Sequence, residues 1–320
     1  MLTTTLEDPY GRVIDSLRIL VTLKCNYKCI FCHSEGVLGH AEEVLNAEDY
    51  GFIAEVASSV GIKFYKISGG EPLLRDDIAD IVRSIKPHAR ELSLVTNGSL
   101  LLEKAKLLAD SGLDRLNVSL HAFSKALYEY VTGSYVPVSR IVEGVKEALK
   151  YGIKVKINFL AMKSNLGEFF KVLEFAEENG LDVNLIELIP LGVPLDTYRR
   201  EHVFLGSIVD FLERNSVAKY YRELHNRPVY VLASGIKVEV VIGYGNYLFC
   251  SRCSRLRLTP DGYLKPCLYV EDLKVCVLKS VKARDREGLM NALHEVVKLR
   301  MPYFKLEVGG GVGQDDRRNQ

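Results

Sequence analysis

The sequence predicts an α/β protein of parallel strand–helix units around a lumen, followed by a smaller second part of mixed α and β structure. Six strand-like segments begin near Arg18, Lys63, Glu91, Arg115, Lys154 and Asp182, and most are followed by a helical pattern. Such alternation implies parallel βα units, wound into a barrel or a doubly wound sheet. A second observation favours the barrel. A parallel strand covered on both faces is a nearly continuous apolar run, yet 154–159 (KVKINF), 115–120 (RLNVSL) and 18–22 (RILVT) are apolar on one face only. Their shared polar face predicts a wet cavity that holds a ligand.

The elements follow in order. Ile78, Ile81, Val82 and Ile85 repeat at helical spacing behind Asp76 and Asp77, and Pro87 stops the helix. Ile141, Val145, Ala148 and Leu149 repeat the pattern, with Gly152 as the C-terminal stop. After Glu187 the rhythm is broken by Pro190, Gly192 and Pro194, and a helix is expected across 204–214. A hairpin across 229–242 turns at Ser234-Gly235, and a second turns at 259–262 (TPDG) between RLRL and YLK. The expected division is 1–228, 229–308 and a Gly-rich polar tail, 309–320.

Composition narrows the function. The 320 residues carry a net charge of +1, with 48% apolar and 26% charged residues, which excludes a disordered or collagenous chain. Near-neutrality gives no support for sequence-blind nucleic-acid binding, which needs many unpaired cations. The acids near the N-terminus do not suit a signal peptide, and no apolar run reaches the ~18 residues of a spanning helix. A cytoplasmic protein without membrane or nucleic-acid partners is expected, with a homodimer possible. Seven cysteines in two distant groups are unlike a secreted disulfide framework.

Cys25, Cys29 and Cys32 have the spacing C-x3-C-x2-C. Three thiolates on one short loop suit an iron–sulfur cubane with its fourth iron open. Zinc is the competing reading, but it prefers C-x2-4-C pairs with a fourth ligand, and His33 adjoins Cys32 too closely to serve. Cys250, Cys253 and Cys267 form C-x2-C-x13-C. Cys276, in the run VCVL, is expected to be a small buried hydrophobe, which again leaves three ligands and favours a second open cluster over zinc.

The first triad, together with Gly69-Gly70-Glu71-Pro72 at the end of the second strand, resembles the radical S-adenosylmethionine superfamily. There the glycines let backbone approach a ligand, and Glu71 would supply an anion for its ammonium. The run from Cys250 to Cys267, with Arg255, Arg257 and Asp261-Gly262 inside it, resembles more narrowly the MoaA-type GTP 3′,8-cyclases of molybdenum-cofactor biosynthesis, in an archaeal-like variant. That resemblance covers nearly the whole chain, including Gly11-Arg12, Leu17-Arg18, Thr96-Asn97-Gly98, 117–120 (NVSL) and 156–158 (KIN).

The resemblance implies an incomplete (β/α)6 TIM-like barrel and a C-terminal α+β domain carrying a second [4Fe-4S] cluster. It implies that S-adenosylmethionine binds the first cluster, with contacts from Phe31, Gly69, Gly70, Glu71, Ser119 and Ile189. GTP would contact Arg18, Lys66, Val95, Lys156, Asn158, Arg255 and Arg257, with its guanine on the second cluster. An external donor would supply an electron, a 5′-deoxyadenosyl radical would abstract the ribose 3′ hydrogen, and C3′ would close onto guanine C8. No side-chain acid or base is assigned.

The chain also departs from the family. Phe31 stands where many members have Tyr, Val95 where a Thr is usual, and Asn184 where some place an Arg near the phosphates, so fewer phosphate contacts follow. A radical enzyme acting on a peptide has no need of Arg255 and Arg257 beside its auxiliary cluster. A plain iron–sulfur carrier or zinc-stabilised binding module leaves the GGEP motif and polar lumen unexplained.

Overall fold

The computed structural model describes residues 5–304; the Gly-rich tail expected at 309–320 lies outside them. The six predicted parallel strands are β1 (Ser16–Leu20), β2 (Phe64–Ser68), β3 (Glu91–Thr96), β4 (Arg115–Ser119), β5 (Lys154–Ala161) and β6 (Asp182–Glu187). Between them run α1 (Ala47–Ser59), α2 (Ile78–Ile85), α3 (Leu101–Asp110), α4 (Lys125–Thr132), α5 (Val138–Lys150) and α6 (Phe169–Asn179). The helix α2 buries Ile78, Ile81, Val82 and Ile85 and gives way to a 3-10 turn containing Pro87. A capping box starts α1: Asn46 accepts from the Asp49 N–H while the Asp49 carboxylate takes the Asn46 N–H.

Beyond β6 come α7 (Leu195–Glu201), α8 (Gly206–Asn215), β7 (Ser216–Tyr221), β8 (Pro228–Leu232), β9 (Lys237–Val241) and α9 (Tyr247–Ser251). They are followed by β10 (Arg255–Leu258), β11 (Tyr263–Lys265), β12 (Val275–Cys276), α10 (Leu278–Lys282) and α11 (Arg286–Lys298). These later strands join the same sheet at both edges, in the order β12-β11-β10-β1-β2-β3-β4-β5-β6-β9-β8-β7. Strand β9 is parallel to β6 and β10 is parallel to β1. Each half of the C-terminal part thus covers an edge that the six-stranded unit would leave open, and the barrel stays unclosed.

Leu17 and Ile19 of β1, Leu116 and Val118 of β4, and Ile157 of β5 are fully buried in one continuous core. The alternate residues carry the polar face. Register sets Arg257 opposite Arg18, Arg18 opposite Lys66, and Asn117 opposite Lys156. The lumen read from alternation is therefore lined by one rung of side chains across β10, β1 and β2 and by another, two residues further along, across β4 and β5.

Cys276 corrects one expectation. It is exposed, because in the short outer strand β12 the core takes Val275 while the next side chain points to the opposite face. No helix among the described residues is long and apolar enough to cross a membrane.

Candidate active site

The first cysteine loop follows β1 directly. Its backbone is held by α4, with the Lys28 and Ile30 N–H groups donating to the Thr132 and Val131 carbonyls at 3.0 and 3.1 Å. On its other side lies the GGEP turn: Gly70 N–H donates to Thr22 O and Glu71 N–H to Lys24 O, each at 2.8 Å. A Cβ on Gly69 would overlap the Thr22 carbonyl, and one on Gly70 would overlap that of Lys24. Gly69 also sits at φ +145°. The two glycines are thus required by contact with the cysteine loop itself.

Cys25, Cys29 and Cys32 open on one cavity with Gly69, Gly70 and Ser119. Phe31 joins them, edge-on to His121 at 4.8 Å between ring centroids. Val95, expected at the nucleotide, lines this first cavity instead. Ile189 is half-buried and is not among the residues lining it. Burial holds the Cys29 thiol well above its usual range, with Cys32 and Cys25 adding like-charge repulsion, which an electropositive metal group would relieve.

Glu71 corrects a second expectation. Its fully buried carboxylate accepts from Leu73 N–H at 2.9 Å, Thr96 Oγ1 at 2.8 Å and Asn97 N–H at 2.7 Å. Burial raises its pKa to about 7 against these donors. The side chain ties the ends of β2 and β3 together and is not among the residues lining the cavity, where this turn presents Ser68, Gly69 and Gly70. His121 was not singled out from sequence. Buried beside that cavity, its Nδ1 accepts the Leu160 N–H at 3.2 Å, and desolvation lowers its pKa to about 4.

Cys250, Cys253 and Cys267 open on a second cavity with Arg12 and Arg300. These arginines build the triad's frame. Arg12 Nη1 donates to Cys250 O at 2.8 Å, Arg300 Nη2 to Cys253 O at 2.6 Å, and Arg300 Nη1 to Pro266 O at 3.3 Å. Buried Asp8 joins them, 2.5 Å from Arg12 Nε and 2.8 Å from Arg300 Nε. One carboxylate and two planar forks therefore organise all three cysteine segments. Arg300 carries no local sequence signal, because its partners lie 34 to 292 positions away.

Neither triad, nor any group of three His, Cys, Asp or Glu among the described residues, converges on a point suited to a single metal ion. Three thiols spread around a cavity suit a multi-iron cluster better than zinc. Cys253 lies just before β10 and Cys25 just beyond β1, so the triads stand at opposite ends of one parallel strand pair. Its five residues span about 13 Å at ~3.3 Å per residue.

Between the ends lies the cationic layer. Glu35, on the loop after Cys32, pairs with Arg18 Nη1 at 2.8 Å and Arg257 Nη1 at 2.6 Å and accepts from Ser68 Oγ at 3.0 Å. Burial alone would raise its carboxyl pKa, but Arg18 and Arg257 hold it well below the usual range. Lys156 is 2.6 Å from buried Glu239, and Asn158 Oδ1 accepts from Asn184 at 2.7 Å. Lys66 donates to Asn117 Oδ1 at 3.1 Å. Among the described residues Lys66 and Arg255 have no ion pair. Burial, then the neighbouring Arg18, pulls both well below their ordinary ranges. The five cations expected from sequence thus share one layer, three of them already paired with internal carboxylates.

Comparison with known proteins agrees with this geometry. A Radical SAM superfamily model matches residues 19–176, and a Molybdenum Cofactor Synthesis C model matches 181–306. The chain is 41% identical over 309 residues to the probable GTP 3′,8-cyclase of Saccharolobus islandicus strain M.14.25 / Kamchatka #1, covering 94% of this chain and 99% of that one. It is 38% identical over 307 residues to the protein of that name from Metallosphaera sedula, covering 93% and 96%. Streptococcus suis SuiB bound to S-adenosylmethionine shares the fold, with a TM-score of 0.62 at 18% identity over 93% of this chain and 76% of that one. Two cysteine triads at the ends of an unclosed barrel, and identity running the length of both chains, lead to one conclusion: the chain belongs to the GTP 3′,8-cyclase family of the radical S-adenosylmethionine superfamily.

Proposed function

We propose that this protein converts GTP to (8S)-3′,8-cyclo-7,8-dihydroguanosine 5′-triphosphate, an early step of molybdenum-cofactor biosynthesis. The observation that carries the reading is the cationic group of half-buried Arg18, Lys66 and Arg255 with buried Arg257 between two three-cysteine cavities. A cluster at each end, S-adenosylmethionine at Cys25, Cys29 and Cys32, and an electron from an external donor supply the radical chemistry. The protein's own work is placement. Arg18 and Arg257 from adjacent strands, with Lys66 beside them, present donors suited to phosphate oxygens, while Gly69 and Gly70 leave room for a ligand against the first triad. Arg255 adjoins Cys253 electrostatically on one side and Arg18 on the other, so a nucleotide anchored there lies between the two cavities.

Anaerobic incubation of the reconstituted protein with GTP, S-adenosylmethionine and reductant, followed by mass analysis of the nucleotide, tests the reading. An isomer of GTP accompanied by 5′-deoxyadenosine is expected. Deoxyadenosine without a changed nucleotide, or zinc in place of iron at both triads, would overturn it.

A further inference from the structure

Strand β6 carries the buried, neutral Asn184. Its register partner is Glu239 of β9, which is buried. Around that carboxylate stand Lys156 Nζ at 2.6 Å, Arg227 Nε at 2.8 Å and Arg222 Nη1 at 3.3 Å. Three cations on one anion leave an excess of positive charge. Arg227 comes from the connection between β7 and β8, which sequence reading had not connected to the site.

That connection is held to one shape. His225 and Asn226 both have left-handed backbone, φ +69° and +48°. Such backbone persists only where the surroundings enforce it. The His225 N–H donates to Arg252 O at 2.9 Å, and its ring stacks on Phe249, 3.8 Å between centroids at 16°. The strained turn is thereby fastened to the helix that carries Cys250.

Among the described residues the buried Nε atoms of Arg18, Arg115, Arg227 and Arg255 have no hydrogen-bond acceptor, and buried His225 Nδ1 has no partner. Arg227 Nε is ion-paired to Glu239 but lacks hydrogen-bond geometry toward it. A buried donor left unsatisfied is costly. Four guanidinium donors collected in one like-charged layer call for a ligand with several anionic oxygens, and a triphosphate is such a ligand.

Resting on the cyclase reading, we infer that Arg227 is a substrate-binding residue, contacting the phosphates from the β7–β8 connection, beside the neutral Asn184 of β6. The β7–β8 connection is then part of the nucleotide site.

The test compares binding of GTP and of guanosine to the anaerobically reconstituted holoenzyme. Variants are Arg227→Gln and Arg227→Gln combined with Asn184→Arg, with iron content as the check on folding. Arg227→Gln is expected to weaken GTP binding by ~10-fold or more, the worth of one charge-assisted contact, and to leave guanosine binding unchanged. Asn184→Arg should restore most of the loss. If Arg227→Gln does not retain iron, Arg227→Lys is expected to lose GTP affinity several-fold with guanosine unaffected. Wild-type GTP affinity in the Gln variant, or equal losses for GTP and guanosine in either variant, would overturn the assignment. A wild-type enzyme that cyclises GTP while Arg227→Gln binds it normally defeats this inference alone. A wild-type enzyme that binds no GTP defeats the cyclase reading with it.

Discussion

Glu35 and Arg257 meet at 2.6 Å across 222 positions of sequence. The contact joins the loop of the first cysteine triad to the strand that leaves the second. Glu35 reaches it through consecutive left-handed residues, Ser34 at φ +45°, Glu35 at +50° and Gly36 at +76°. A Cβ on Gly36 would overlap the Leu268 carbonyl, and the Gly36 carbonyl accepts from buried Lys265.

Breaking this relationship leaves the buried Arg257 guanidinium and the half-buried one of Arg18 without their anion. Glu35→Ala should lower unfolding stability by about 3–5 kcal/mol, as expected when one member of a buried ion pair is removed. Chemical denaturation under anaerobic conditions measures it. A change within ~0.5 kcal/mol would mean that the pair is energetically idle.

The two triads should fail differently. Cys29→Ala is expected to abolish cleavage of S-adenosylmethionine, whereas Cys253→Ala should retain some uncoupled cleavage while losing nucleotide cyclisation. Deoxyadenosine release and iron per chain report on each. Equal cleavage in both variants contradicts this division. Cys276→Ser, altering an exposed thiol on β12, should leave iron content at the wild-type value.

Gly70→Ala places a methyl group against the carbonyls of Lys24 and Leu23. Either the cysteine loop or the turn must move. First-cavity iron retention and S-adenosylmethionine affinity should fall together, with iron at the second triad preserved. Spectroscopic counting of both clusters decides this, and unchanged affinity would show that the close approach is slack.

His121 imposes a pH dependence on stability. Its pKa is lowered from 6.5 to about 4 by burial. Below pH 6.5 the unfolded chain therefore binds a proton that the folded chain refuses. Stability is lost progressively as pH falls from 6.5 toward 4, by on the order of 3 kcal/mol across the window. His121→Gln should flatten that part of the profile in denaturation experiments at pH 7.5, 6 and 5. Parallel profiles for the two proteins would refute the assignment.

Local chemistry made much of the fold legible. Alternation along 154–159 and 115–120 identified strands with a polar inner face, and the spacing of Ile78, Ile81, Val82 and Ile85 identified α2 with its end. The cysteine spacings were equally local, and both triads prove to surround cavities. Cys276 was misread because an apolar run does not say whether a strand is covered on one face or two. Glu71 was misread because three donors from beyond its own position claim its carboxylate.

By itself the sequence determined which residues could carry charge, sulfur or a tight turn, since those are properties of side-chain type, spacing and short-range backbone sterics. Only the tertiary structure decided which charges are paired and which are left in excess. Glu35 occupies Arg18 and Arg257, Glu239 gathers Lys156, Arg222 and Arg227, and Asp8 locks Arg12 to Arg300. Those pairings depend on register between strands distant in sequence. In a buried layer the energy of a charge is set by its neighbours in space, which spacing along the chain does not encode.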